Sequence, residues 1–329
     1  MCNIPIDDGC PLCGDRNHRA FAEQRGVSIH LCEVCGFMFV FPPPEEGSLR
    51  SLYQLSSGYY ATASENLKDT SKWSAVQLHQ LLAEHGVAPG RFLEIGCSSG
   101  SLIYHLQELG WDVVGVEVNP GTARIARDNG LVVYLGTVES IVESVALKGE
   151  LFDVIYLGDV IEHLPQPLQT LSLLRSVMRP GGTLILRTPN SLCGYAQASL
   201  KYAQVFRAPW YYSEAPYHLC EFTPTTLRAL ITRAGFTVSS LLCQPPRVPL
   251  RYTIGATGKF DELKKALKIG GRYRFASARR FWMSMPALVG MTAIIVPLWM
   301  FGAVFDKING TYPLVAIAKK SQRDSSVFV

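Results

Sequence analysis

The chain has 329 residues, 48% hydrophobic and 18% charged, with 31 Lys and Arg against 27 Asp and Glu. This composition excludes a disordered or low-complexity protein, and the length suffices for one large domain plus a small one. The net charge of +4 is modest, and the N-terminus MCNIPIDDGCPLCG has neither the basic nor the apolar region of a secretory signal. Nine cysteines then point to a reducing, cytoplasmic compartment with some of them binding metal.

The first element, residues 1–45, is expected to be a zinc ribbon. Cys10-Pro-Leu-Cys13 and Cys32-Glu-Val-Cys35 form two C-x2-C knuckles separated by 18 residues, each followed by a glycine, Gly14 and Gly36. Four thiolates close a tetrahedral Zn²⁺ site with no open position, so this metal folds the segment and does not catalyse. His18 and His30 are surplus to such a site and are expected at the surface. Pro42-Pro43-Pro44 ends the ribbon, and residues 46–75 follow as linker and N-terminal cap.

Helical and strand patterns alternate after residue 75, which predicts an α/β fold with a mostly parallel sheet. FLEIGCSSG (92–100) reads as a buried strand breaking into a glycine turn, and Leu102, Ile103, Leu106 and Leu109 then mark a helix. Glycines at that position let the backbone pass close to a ligand and free the amides that open the helix. Glu117 ends the next strand, where an acid can accept both hydroxyls of a ribose. The spacing is Gly-x-x-x-Gly after Glu94, not the dinucleotide GxGxxG.

Glu94, Gly96 and Gly100, with Ser98 in place of a middle glycine, resemble the first motif of class I S-adenosylmethionine-dependent methyltransferases. The resemblance continues in the family's order through GELFDVIYLGDVIEHLPQP (149–167), RPGGTLILRTPN (179–190), YHLCEFTPTTLRALITRAGF (217–236) and TYPLVAIAKK (311–320). It covers roughly residues 75–243 plus 311–320, and it implies a Rossmann-like seven-stranded sheet built from 76–243 and 311–320. It also implies roles. Gly96, Cys97 and Gly100 would contact the methionine part of the donor, with Glu94 orienting the loop; Glu117 would take the ribose and Val118 flank the adenine. Thr137 and Val138 are further adenine candidates, and Asp159 and Val160 would lie beside the methionine amino group and sulfonium. Tyr59 and Tyr60 belong to a segment that in such enzymes can close over the donor.

A zinc ribbon on this core resembles small-molecule methyltransferases, including sugar C-methyltransferases, and some ribosomal-RNA methyltransferases. The sugar enzymes carry a segment reading roughly Glu-His-Leu-Ser-Tyr-Phe-Ser, which places their basic histidine on His218; Tyr217 and Glu221 depart from that pattern. His163, in Ile161-Glu162-His163-Leu164-Pro165, is the second candidate base, and Asp159 could equally cap a helix. GDVIEHLP stands where enzymes acting on base amines have Asn/Asp-Pro-Pro-aromatic, which counts against nucleic acid as substrate.

The basic character is one block: ten Lys and Arg against Asp261 and Glu262 between Arg247 and Arg280, a local charge of +8. Residues 281–305 follow without a charged side chain, interrupted by Pro286 and Pro297. Residues 244–310 therefore read as a basic and apolar helical insertion before the last strand, and 247–305 as a monotopic or peripheral contact with the inner face of a membrane. A buried lid or dimer contact is the alternative, and nothing in the sequence sets the oligomeric state. The combined expectation is methyl transfer from S-adenosylmethionine to a small-molecule, glycan or lipid-linked acceptor, with a histidine as base. A non-catalytic donor-binding membrane scaffold and an RNA methyltransferase are the alternatives.

Overall fold

The computed structural model describes residues 9–44, 71–142, 149, 151–243 and 313–321. The linker with Tyr59 and Tyr60 and the insertion 244–310 lie outside the described residues. Two sheets organise what is described. The larger has seven strands: β4 (Arg91–Ile95), β5 (Asp112–Glu117), β6 (Val133–Leu135), β7 (Phe152–Gly158), β8 (Met178–Thr188), β10 (Phe236–Cys243) and β11 (Leu314–Lys320), in the order β10-β11-β8-β7-β4-β5-β6. Strands β4 to β8 run parallel, whereas β11 is antiparallel to both β8 and β10. This is the seven-stranded α/β sheet expected from the sequence.

The order reverses at β4. The chain moves outward through β5 and β6 and then returns to place β7 on the other side of β4. In a sheet of this kind ligands bind beyond the carboxyl ends of the strands at that reversal. Both faces are covered, so β4 is apolar on each side: Leu93 and Ile95 enter one core cluster and Phe92 the other. The flanking helices are α1 (Lys72–Glu84), α2 (Ser101–Glu108), α3 (Pro120–Asp128), α4 (Val138–Val142), α5 (Pro167–Ser176), α6 (Gly194–Phe206) and α7 (Pro224–Arg233). Helix α7 starts as its sequence demands: Thr223 and Thr226 form a reciprocal capping box, with Pro224 in the first turn. Among the described residues, no helix is long and apolar enough to cross a membrane.

The smaller sheet has four strands in the order β1-β2-β3-β9. Strands β1 (His18–Gln24), β2 (Val27–Cys32) and β3 (Met38–Val40) belong to the cysteine-rich segment, but β9 (Cys220–Glu221) comes from the far side of the chain. The pairs are Met38 with Glu221 and Phe39 with Cys220. Phe37 packs on Phe222 at 5.2 Å between ring centroids, so the ribbon shares a core with the large sheet. His18 and His30, expected at the surface, are half-buried; their Nδ1 atoms lie 2.8 Å apart, and both rings pack against Phe41.

Candidate donor and acceptor site

The glycine turn after β4 sits at the strand-order reversal. Gly96 (φ +70°) and Gly100 (φ +79°) are left-handed, a conformation that costs other residues free energy. A Cβ on Gly96 would come within 2.6 Å of Val160 Cγ2, and one on Gly100 within 2.4 Å of Leu131 Cδ1. Space and backbone therefore both demand glycine. Ser98 (φ +51°) and Asp159 (φ +55°), which follow the adjacent parallel strands β4 and β7, are also left-handed; strain of this kind concentrates at functional sites. No side chain caps the start of α2, which begins from Gly100.

Glu117 joins the two strand ends. Its Oε2 accepts from the Ser98 amide at 2.8 Å and its Oε1 from the Asn119 amide at 2.7 Å. The Val118 amide and the Thr122 side chain also hydrogen-bond this buried carboxylate. Burial raises its pKa against these amide bonds. Glu94 is buried beneath the same loop, its Oε2 has no hydrogen-bond partner, and burial together with Glu117 lifts its pKa to about 8. A buried carboxyl without a partner is costly unless it is protonated or meets a donor. Cys97 offers only its backbone to the crevice, because its thiol packs down on Gly115, where a Cβ would lie 2.5 Å from Sγ.

The remaining donor-side candidates separate clearly. Val118 is among the exposed large hydrophobic residues. Thr137 instead caps α4, its Oγ1 accepting from Ser140 N at 3.3 Å, and Val138 is buried in the core. Val160 lies over Gly96. Asp159 does not cap a helix. Its Oδ2 is 3.3 Å from Arg187 Nη2, Oδ1 has no partner, and burial raises its pKa against the pull of Arg187.

Both candidate bases meet beside this crevice. His163 lies in the 3-10 turn Ile161–His163 directly after β7, and its Nδ1 is 2.9 Å from the Tyr217 carbonyl. The His163 and His218 rings meet edge to face at 4.8 Å. His218 is buried, and burial followed by His163 drives its pKa down to about 3. Burial lowers His163 as well. Glu162 completes the group: it is buried, Oε2 accepts from Thr188 Oγ1 at 3.0 Å, and Oε1 has no partner among the described residues. Glu162, His163 and His218 each present a ligand atom within 4.8 Å of the others, enough to hold a cation. Glu214 Oε2 lies 3.8 Å from His218 Nε2. Glu221, bonded to Ser191 Oγ at 2.9 Å, is pushed by burial to about 7, and its Oε1 is unpartnered.

Sequence reasoning singled out the two histidines but gave Glu162, Glu214 and Arg187 no role. Glu162 could have been found as a lone acid between an apolar residue and His163. Glu214 lies four residues before His218, a spacing that could have marked it, whereas only the fold brings Arg187 to Asp159.

The four ribbon cysteines lie together, their Sγ atoms within 4.8 Å of one another. Cys10 and Cys35 are 3.6 Å apart, as are Cys13 and Cys32. A disulfide requires about 2.05 Å, while the edge of a tetrahedron of zinc-bound sulfurs is about 3.8 Å. Gly14 N bonds the Cys10 carbonyl and Gly36 N the Cys32 carbonyl, closing both knuckles. The donor set fits a tetrahedral thiophilic ion.

Residues 70–241 match the family model described as a methyltransferase domain. Among curated proteins, the Ubiquinone biosynthesis O-methyltransferase of Cereibacter sphaeroides (strain ATCC 17025 / ATH 2.4.3) is 37% identical over 105 residues, covering 30% of this chain and 41% of that protein. Its namesake from Xanthomonas campestris pv. campestris (strain B100) is 30% identical over 118 residues, covering 35% and 49%. The chain thus spans less than half the length of these relatives. A solved SAM-dependent methyltransferase from Archaeoglobus fulgidus is 18% identical, covering 75% of this chain and 94% of its own at a TM-score of 0.45.

Proposed function

From the premise that the chain belongs to the methyltransferase-domain family, with its S-adenosylmethionine-dependent class I fold, we propose that it methylates a small-molecule acceptor by in-line displacement. One observation carries the donor half of this reading. At the strand-order reversal, Glu117 fixes the glycine turn through the Ser98 amide and stands as an acid at the end of the next strand. Gly96, Gly100 and the Cys97 backbone would line the methionine part, Glu117 would take the ribose, Val118 the adenine, and Asp159 with Val160 the amino-acid end. The bound donor supplies an electrophilic sulfonium methyl; the protein's task is to hold the acceptor atom about 3–3.5 Å from it.

The acceptor half rests on the histidines. The relatives named O-methyltransferases support an acceptor hydroxyl whose proton must leave. His218 is unprotonated at neutral pH, because burial drives its pKa to about 3, and so can take that proton. The imidazolium so formed would be stabilised by Glu214, 3.8 Å from His218 Nε2. A second reading has its own observation: with Glu162 Oε1 unpartnered and three ligand atoms within 4.8 Å, a divalent cation would fit there and lower the pKa of a coordinated hydroxyl. Chelation followed by Mg²⁺ or Mn²⁺ readdition separates the two readings, since only the second requires metal for turnover.

The ribbon cysteines support a structural Zn²⁺. The basic block and apolar run in 247–305 support an amphiphilic or lipid-linked acceptor and peripheral membrane attachment. The full chain should sediment with membranes and leave them in detergent rather than in salt; remaining in the supernatant without detergent would remove the membrane part. The function itself is tested by incubating protein and labelled S-adenosylmethionine with lipid and small-molecule extracts. A product heavier by one methylene group is expected. Donor binding with no acceptor in any extract would favour the scaffold instead.

A further inference from the structure

The segment from Arg207 to Leu219 forms neither helix nor strand, yet it carries His218 to the crevice. Its position is therefore set by what it is bonded to. On one side stands the large domain, where Leu219 N donates to the Glu162 carbonyl at 2.8 Å and Trp210 Nε1 to the Ala196 carbonyl at 3.1 Å. On the other side stands the ribbon. Trp210 N donates to the Glu23 carbonyl at 2.7 Å, Gln24 Nε2 to the Ser213 carbonyl at 3.0 Å, and Val40 N to the Leu219 carbonyl at 2.9 Å. These contacts are buried: Gln24, Trp210, Ser213 and Leu219 are all in the interior.

The tip of the ribbon hairpin adds a charge. Arg25 and Gly26 form a two-residue turn between β1 and β2, both at positive φ. The Arg25 guanidinium lies 5.7 Å from the centroid of the Tyr217 ring, next to His218. It also lowers the Glu214 carboxyl against the effect of burial, and Glu214 faces His218 Nε2. A ribbon serving only to recruit a partner would leave its hairpin and edge strand free. Here both engage residues 210–221.

We propose that the ribbon hairpin positions the acceptor side of the site, holding residues 210–219 and with them His218, and that Arg25 is a positioning residue acting through Glu214. The inference rests on the reading of His218 as the acceptor-side group and deepens it. It makes the ribbon part of the site and not an appended module.

The test uses the full chain and two variants. Val40→Pro removes the amide that holds Leu219, and Arg25→Gln alters an exposed residue that no core contact requires. Hydrogen exchange of residues 214–221, methyl incorporation at saturating donor, and titration with S-adenosylhomocysteine are read together. We expect Val40→Pro to speed exchange in 214–221 at least about tenfold. Arg25→Gln should also speed exchange there and slow methyl incorporation, with Arg25→Lys restoring both. S-adenosylhomocysteine affinity should stay within about twofold throughout, because the donor turn lies on other elements. Unchanged exchange in both variants would overturn the proposal; so would loss of donor binding along with faster exchange, which would mark the ribbon as a general folding requirement. Absence of S-adenosylhomocysteine binding in the unmodified protein would instead sink the donor reading, whatever the exchange data show.

Discussion

The two sides of the crevice, proposed for donor and acceptor, are built in opposite ways. Glu94, Gly96, Ser98, Gly100 and Glu117 fall within 24 residues, and backbone geometry demands the two glycines. The acceptor side gathers Glu162 and His163 from the end of β7, Glu214 and His218 from an irregular segment, and Arg25 from the ribbon, across almost 200 residues. The first is a local cluster set by neighbours close in the chain. The second is a long-range assembly, free to change with the acceptor. Substitutions on the two sides should therefore fail differently, one losing donor affinity and the other losing turnover.

The largest effect is expected at Gly96→Val, which forces a β-branched residue to φ +70° with its Cβ 2.6 Å from Val160. Backbone strain alone costs about 1–3 kcal/mol, so S-adenosylhomocysteine affinity should drop on the order of a hundredfold by calorimetry. His218→Ala should slow methyl incorporation at least about tenfold while leaving donor affinity nearly intact. Equal turnover would dispose of the general-base role. Glu117→Gln keeps one acceptor oxygen of two, so it should weaken the donor about tenfold, close to the worth of one charged hydrogen bond. If Glu117→Gln reduced turnover at saturating donor and not affinity, the division into two sides would be wrong.

The smallest effect is a pH dependence. The folded-state pKa of Glu94 is about 8 against an ordinary 4.5, so its contribution to stability is fully present below about pH 4.5 and lost as pH rises through 8. Burial depresses His218, so its contribution is present above about pH 6.5 and lost on acidification. Melting curves of Glu94→Gln should accordingly fall less between pH 6 and pH 9 than those of the unmodified protein. Parallel curves would show that Glu94 does not titrate in that window.

The same contrast explains what the sequence disclosed. The α/β sheet, the glycine turn, the capped start of α7 and the four cysteines were legible because each depends on neighbours a few residues apart: periodicity, positive-φ glycine, a Thr-Pro start, C-x2-C spacing. The burial of Val138 at the start of α4 was not legible, because its place after the third parallel strand carries no periodic pattern. The pairing of β3 with Cys220–Glu221 had no local signal. A two-residue strand carries too little pattern to reveal its partner, and tertiary packing alone joined the ribbon to the segment of His218.

The central claim is a donor cradle at the strand-order reversal that works independently of the histidine beside it. Calorimetric titration of S-adenosylhomocysteine into the unmodified protein and into His218→Ala tests it directly. The account predicts one bound ligand per chain in both proteins with the same affinity. No binding in the first, or binding lost in the second, would contradict it.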